Sequence, residues 1–347
     1  MAGHLAIMGF PVCLYDIVPE TVEAIRAQGG IEVNGVVKGF GKLDLTTLVM
    51  AEAVDKADII VVVAPALAHR AIAESCADHL TDGQIVVLHP GATGGALEFR
   101  KVLKDKGCTA DVTVAETNSL IYACRTSKPG CASIFGVKQR LMAAALPADR
   151  TDTVLKCLQA AFPQIYGGKN VLETSLANPN AMMHPAPTLL NTSMIESGRD
   201  WLYYWDGITP SVGAFVEALD ADRLAIGQAL GIDLTPIVAW YAEAYGAEGA
   251  TLSEAVKRNP AYEGIKGQTS LETRYLLEDV PMGLVPLAAL GDLVRADTRR
   301  IHIVISMIEY LLGRDLTANG RTLDNLGLGG MTLSKLQQYL ETGDTDG

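Results

Sequence analysis

The sequence is short of positive charge, of aromatic residues and of long apolar runs, and its cysteines are unpaired by spacing. Lys and Arg number 28 against 40 Asp and Glu, a formal net charge of -12. A nucleic-acid surface or an anionic membrane needs a basic face, so neither is an expected partner. No apolar run reaches the length of a membrane span, and the first residues lack the basic region of a signal peptide. Cys13, Cys76, Cys108, Cys124, Cys131 and Cys157 form no CxxC pair, and His4, His69, His79, His89, His184 and His302 show no metal-ligand spacing. Reduced thiols, a cytoplasmic location and no metal are the expectations.

What is present suits a packed enzyme. The chain has 347 residues, long enough for two cores, and 49% of them are hydrophobic. In its first half, strand-like runs at Pro11–Asp16, Ala57–Pro65, Gln84–His89 and Asp111–Glu116 alternate with helical patterns at Val18–Gln28, Leu67–Leu80 and Ala96–Lys106. Such alternation predicts an α/β fold with a Rossmann-type, doubly wound parallel sheet. The Ile-Ile-Val-Val-Val run within Ala57–Pro65 reads as a strand buried on both faces. Asn34-Gly35 suggests a small hairpin within Gly30–Gly41, and Cys131–Lys138 one more strand.

The second half is helical. Asp152–Ala161, Pro210–Leu230, Thr235–Tyr245 and Thr251–Arg258 carry helical spacing, and Leu287–Leu312 reads as one long helix. Thr251 with Glu254 and Thr269 with Glu272 fit the capping box. The expected domains are 1–170, binding dinucleotide, and 171–347, an all-helical substrate and catalytic domain.

Chemistry concentrates in a few places. Asp16 ends the first strand-like run, where the dinucleotide fold places an acid that accepts hydrogen bonds from ribose hydroxyls, about 20 residues after a Gly-rich loop. Counting back from Asp16 runs off residue 1. Ala2–Met8 then reads as the rest of the helix after that loop, with the first strand and the loop outside these residues, an N-terminally truncated sheet. Ala64, Pro65, Ala66, Pro90 and Gly91 follow strands and are expected to touch the dinucleotide by backbone. No arginine follows Asp16 closely enough for a 2′-phosphate, so NAD is expected over NADP.

Three prolines in Asn178–Asn191 stop a helix from running through, which places His184 at a helix entrance or a tight bend at a domain junction. A lone histidine among apolar residues is more often structural than catalytic. Asp279 stands just before Pro281 and Gly283, near a helix end, with Arg274 five residues earlier.

Asn178-Pro179 with His184-Pro185, Glu278-Asp279-Val280-Pro281 with Gly283-Leu284-Val285-Pro286, and Gly320-Arg321-Thr322-Leu323 with Leu326-Gly327 resemble the landmarks of the octopine/nopaline (opine) dehydrogenase family. Glu116-Thr117-Asn118, Tyr122-Ala123-Cys124-Arg125, and Pro65 with His69 are similar to its cofactor domain, so the resemblance runs along nearly the whole chain. The Gly-rich loop of that family is the departure. The resemblance implies NAD(P)H-dependent reductive condensation of an amino acid with a 2-oxo acid to a secondary amine dicarboxylate. It also implies His184 as acid/base, Asp279 as its partner, Arg274 as a carboxylate clamp, and Asn118 and Tyr122 beside nicotinamide or substrate. The implied partners are those two small molecules, with a homodimer compatible. Two other readings stay open: a reductase of small 2-oxo or hydroxy acids, for which Lys257 and Lys266 are the lysine candidates, and a non-catalytic binding protein.

Overall fold

The computed structural model describes residues 1–344. The chain divides into two units: Met1–Gly91 with Gly95–Thr174 and Leu340–Gly343, and Ala92–Gly94 with Ser175–Tyr339.

In the first unit the strands follow in order as β1 (Cys13–Tyr15), β2 (Gly30–Gly35), β3 (Gly39–Lys42), β4 (Leu45–Thr47), β5 (Ile59–Val62), β6 (Ile85–Leu88), β7 (Thr113–Thr117), β8 (Tyr122–Lys128), β9 (Cys131–Val137), β10 (Leu141–Leu146) and β11 (Ile165–Gly167). The main sheet runs β11-β10-β7-β6-β5, and β1 pairs separately with β4. β5, β6 and β7 are mutually parallel, as strand-helix alternation requires, while β10 lies antiparallel to β7. The sheet is therefore mixed at the β10 end instead of parallel throughout.

The helices between these strands start and stop on local chemistry. Pro19–Gln28 opens with proline at its first position, where a missing N–H costs nothing, and closes on Gly29 at φ 78°. Gly95–Asp105 is buried all round its first turn, Gly95 to Phe99, and buries Val102 and Leu103 further along. A second sheet, β3-β2-β9-β8, carries the N-terminal helix Ala2–Ile7. Two glycines allow that approach. A Cβ on Gly3 would lie 2.8 Å from Val33 Cγ2, and one on Gly41 would lie 2.2 Å from the Gly3 carbonyl oxygen. Beneath the helix, Val33, Ile121, Tyr122, Ile134, Leu141, Phe162 and Ile165 form a core with Met1, Leu5 and Ile7 packed on it.

Several expectations need correction. The hairpin exists, but β2 continues through Asn34 and Gly35 because β9 pairs with them, and the turn falls at residues 36–38. The Ile-Ile-Val-Val run of β5 is not buried on both faces: Val62 is buried, while Ile59, Ile60 and Val61 are only half-buried. The neighbouring run in β6 is buried at every residue. The composition is alike, and the difference is that among the described residues β5 is hydrogen-bonded on one side only.

The second unit packs helices around Pro210–Leu230. Thr209 accepts the Val212 N–H, Pro210 occupies the first position and Gly231 closes the helix at φ 68°. Its buried acids fasten neighbouring elements. Asp220 takes Arg223 Nε at 2.6 Å and the Ile237 N–H at 2.8 Å, and Asp222 takes Arg300 through both its side chain and its N–H, capping helix Arg299–Leu312. Thr251 caps Leu252–Lys257 as expected, by accepting the Glu254 N–H. Thr269 and Glu272 cap nothing, since the next helix is Arg274–Leu277 and Glu272 donates its N–H to Ser270 Oγ. The expected helix Leu287–Leu312 is two, Val285–Val294 and Arg299–Leu312. Arg295 turns left-handed at φ 59°, and the Ala296 N–H returns to the Gly291 carbonyl at 2.9 Å. No glycine or proline stands at that break to announce it.

Candidate active site

His184 sits between two short helices, Asn180–Met183 and Pro185–Leu190. Pro185 ends the first hydrogen-bond run and starts the second, so the histidine backbone is held at the joint. The Tyr203 hydroxyl donates to the His184 carbonyl at 2.9 Å and lies 3.0 Å from Thr188 Oγ1. Asp279 arrives from the other side on a wide turn. Its N–H reaches the Arg274 carbonyl at 3.1 Å and its carbonyl takes the Leu284 N–H at 3.0 Å, both five residues apart. The stretch Val280–Leu284 is a π-helical turn, a distortion that recurs at functional sites.

These two turns bring His184 Nδ1 to 2.7 Å from Asp279 Oδ2, with both side chains about 10% exposed. A carboxylate there fixes the tautomer with the proton on Nδ1 and stabilises the imidazolium, leaving Nε2 as the atom that exchanges a proton. The Tyr275 ring stacks on the imidazole, centroids 3.9 Å apart and planes 5° apart. An aromatic face attracts a cationic imidazolium and holds the ring against rotation. Tyr275 is backed in turn by Tyr203, edge-on at 4.9 Å. Arg274, one residue before Tyr275, is 3.6 Å from Glu278 Oε2, with 61% of its side chain exposed. A guanidinium so exposed keeps donors for an incoming carboxylate.

In the first unit the expected dinucleotide residues lie beyond the carboxyl ends of parallel strands: Asp16 after β1, Ala64, Pro65 and Ala66 after β5, Pro90 and Gly91 after β6. Asp16 Oδ1 accepts the Val18 N–H at 2.9 Å, which fixes the carboxylate at the start of helix Pro19–Gln28. Arg26, on that helix, gives its guanidinium to the Thr46 carbonyl at 2.7 and 3.2 Å. A carboxylate at Asp16 accepts from ribose hydroxyls and repels a 2′-phosphate. Gly91 is pressed against Glu116, where a Cβ would come within 2.3 Å of Oε2. The Glu116 carboxylate accepts the Ala96 N–H and the Thr174 hydroxyl. The adenosine half of a dinucleotide therefore fits residues that are present, while a Gly-rich phosphate loop is not among the described residues.

Asn118 follows the carboxyl end of β7, and Tyr122 opens β8. Asn118 bridges β7 and β10, its N–H on the Met142 carbonyl and its Oδ1 taking the Met142 N–H. Tyr122 is 5% exposed in the core, its hydroxyl 2.9 Å from His4 Nδ1, and burial raises its pKa. Lys266 pairs with Asp200 on the surface, and Lys257 is exposed.

Residues 167–312 match the family described as NAD/NADP octopine/nopaline dehydrogenase, alpha-helical domain. An opine dehydrogenase of Arthrobacter sp. (strain 1C) is 42% identical, over 98% of this chain and 95% of its own length. The chain belongs to the opine dehydrogenase family. Among solved structures, octopine dehydrogenase in complex with NADH and agmatine shares the fold, with a TM-score of 0.84 at 22% identity over 100% of this chain and 95% of the other. Yersinopine dehydrogenase bound to NADP+ shares it at a TM-score of 0.75 and 16% identity, covering 98% and 94%. Opine dehydrogenases are oxidoreductases acting on CH–NH donors, and with NAD(P)H they join an amino acid to a 2-oxo acid by reductive condensation.

Three features of this opine dehydrogenase escaped sequence reasoning. Tyr275 carries no motif, and only its place between Arg274 and Asp279 hints at the stack. Arg321 was noted only as part of a landmark. It is fully buried, donating to the Thr93 carbonyl at 2.9 Å while its own N–H reaches the Pro281 carbonyl, so that block pins the turn carrying Asp279. His89 ends β6, and its burial pushes its pKa down to about 3, with the N-terminal amine and the nearby Lys138 acting the same way. Lys138 is 2.8 Å from Ser119 Oγ, and burial brings its pKa down to about 8.

Proposed function

We propose that His184 is the acid/base of an NAD-dependent opine dehydrogenase reaction in this chain, with Asp279 holding its tautomer and Arg274 binding a substrate carboxylate. The observation that carries the reading is the 2.7 Å contact between His184 Nδ1 and Asp279 Oδ2 inside a buried, aromatic-walled site. An amino acid arrives as an ammonium ion and must lose a proton before its nitrogen attacks the 2-oxo carbon. His184 Nε2 takes that proton, and Asp279 and the Tyr275 face stabilise the resulting imidazolium. Once the attacking nitrogen has passed a proton to the new oxyanion, the proton held on His184 goes to the carbinolamine hydroxyl, which leaves as water and gives the protonated imine. Arg274, paired in the free chain with Glu278, holds the 2-oxo acid by its carboxylate through two parallel N–H donors. A nicotinamide cofactor, when bound, would supply the hydride for the imine carbon.

NAD is proposed over NADP because the Asp16 carboxylate, held at the start of helix Pro19–Gln28, would repel a 2′-phosphate. A cytoplasmic setting belongs to the same reading and is supported by six free thiols. The test is NADH oxidation with pooled 2-oxo acids, with and without pooled amino acids, beside His184→Ala. Oxidation that needs both pools and drops at least 100-fold in the variant is the expected result. Oxidation with oxo acids alone, or an unimpaired variant, would overturn the assignment.

A further inference from the structure

His184 lies where its own segment holds it least well. Its φ of -110° departs from helical values, and Pro187 denies the Met183 carbonyl the N–H it would meet one turn on. The imidazole must nevertheless keep one aim, because a proton passes only between atoms within hydrogen-bond reach. What steadies the joint comes from Trp201–Tyr203, in the same unit. That segment is itself tied down: the Tyr203 N–H donates to the Ile265 carbonyl at 2.9 Å, the Gly267 N–H to the Trp201 carbonyl at 2.8 Å, and the Trp201 indole N–H to the Gln268 carbonyl at 3.2 Å. Tyr203 is 1% exposed, and burial pushes its pKa up, so its hydroxyl keeps its proton.

The single proton of that hydroxyl has a fixed direction. It goes to the His184 carbonyl at 2.9 Å, with the Met183 carbonyl beside it at 3.3 Å. The Thr188 hydroxyl, 3.0 Å away, is therefore the donor to Tyr203, and Thr188 Oγ1 in turn accepts from Gln268 Nε2 at 3.1 Å. The His184 carbonyl thus has two donors, the Thr188 N–H at 3.1 Å from within the next helix and Tyr203 from outside it. The ring of the same tyrosine meets Tyr275 edge-on at 4.9 Å, and Tyr275 lies flat on the imidazole at 3.9 Å. We propose that Tyr203 is a positioning residue of the reaction, setting the aim of His184 Nε2 through the His184 carbonyl on one side and Tyr275 on the other. The proposal rests on His184 as the acid/base. A misplacement of about 1 Å at reacting atoms costs about 100-fold in rate, so a small drift of the joint has a large effect.

The test is Tyr203→Phe, which removes the hydroxyl and keeps the ring, beside Tyr241→Phe. Tyr241 is as deeply buried, and its hydroxyl lies 3.4 Å from that of Tyr262, so it reports the loss of a buried hydroxyl alone. In the full chain with isotope-labelled histidine, free of cofactor and substrate, the His184 Nδ1 proton facing Asp279 should exchange with solvent about 10-fold faster or more in Tyr203→Phe than in wild type or Tyr241→Phe. In NADH oxidation with pooled amino acids, kcat should fall about 10-fold or more in Tyr203→Phe while the apparent KM for pooled 2-oxo acids changes less than about threefold, and Tyr241→Phe should keep both. Thr188→Val, which removes the donor that orients Tyr203, should move both readouts the same way by a smaller factor. The ring proton is read without turnover, so the two assignments fail separately: an active His184→Ala sinks the acid/base reading, whereas an unchanged ring proton in Tyr203→Phe beside an inactive His184→Ala sinks only the role of Tyr203. A kcat loss shared equally by Tyr241→Phe, or an effect confined to KM, would also overturn the proposal.

Discussion

Replacing His89 with Gln tests how the end of β6 is held. His89 Nε2 accepts the Ile121 N–H at 3.1 Å, so the neutral ring must carry its proton on Nδ1, which donates to Thr117 Oγ1 at 2.8 Å. The Thr117 hydroxyl passes on to the Ser119 carbonyl at 3.0 Å. A second proton could enter only at Nε2, against an N–H already pointing there, and in a site 3% exposed. Burial thus takes the pKa from 6.5 down to about 3. The sign follows. Between those values the unfolded chain binds a proton that the folded chain refuses, so stability is complete above pH 6.5 and is lost as pH falls toward 3. At pH 5 the loss is about 2 kcal/mol, at 1.36 kcal/mol per pH unit below 6.5. Gln keeps an acceptor for Ile121 and does not titrate. Urea unfolding of both chains from pH 8 to pH 5 should show wild type losing about 2 kcal/mol more than His89→Gln. An equal pH dependence of the two chains, or a His89 ring signal titrating with a midpoint above 6, would refute the reasoning.

Asp279→Asn removes the charge opposite the imidazolium without emptying the space; kcat for NADH-driven condensation should fall about 100-fold or more with folding retained, and a loss under threefold would count against a role for Asp279. Arg274→Gln should raise KM for the 2-oxo acid by about 10–100-fold while changing kcat less, as expected for a lost charged hydrogen bond in steady-state kinetics. Arg321→Ala leaves the Thr93 carbonyl without this donor and opens a cavity, and should lower stability by about 3–5 kcal/mol in urea unfolding. Gly91→Ala drives a Cβ against the Glu116 carboxylate and should cost about 1–3 kcal/mol, read as a lower thermal midpoint.

The legible parts of this chain were those written in local chemistry. Helix Pro210–Leu230 was readable to the residue because Thr209, Pro210 and Gly231 mark its ends. The pairing of His184 with Asp279 came through a resemblance, since 95 residues separate two side chains that meet only after both turns have formed. The residues Asn118 and Tyr122 show what a motif leaves unsaid: Asn118 ties β7 to β10, and Tyr122 packs into the core beneath helix Ala2–Ile7, neither of which their motif predicts. Arg295 hides its helix break because the left-handed turn falls on a residue type that seldom adopts it, with neither glycine nor asparagine there to mark it.

Strands β5 and β6 make the sharper case. Pattern reading assigned Ile59 to Val63 to a doubly covered strand, and that remains the right reading of its composition. What the pattern cannot carry is whether a neighbour is there to cover it. β5 and β6 differ little in residue type, yet β6 is buried at every position and β5 at one. Burial of an apolar run depends on which strands pair with it and what packs over it, and both are set by residues far away in sequence, so two runs of like composition end in different surroundings.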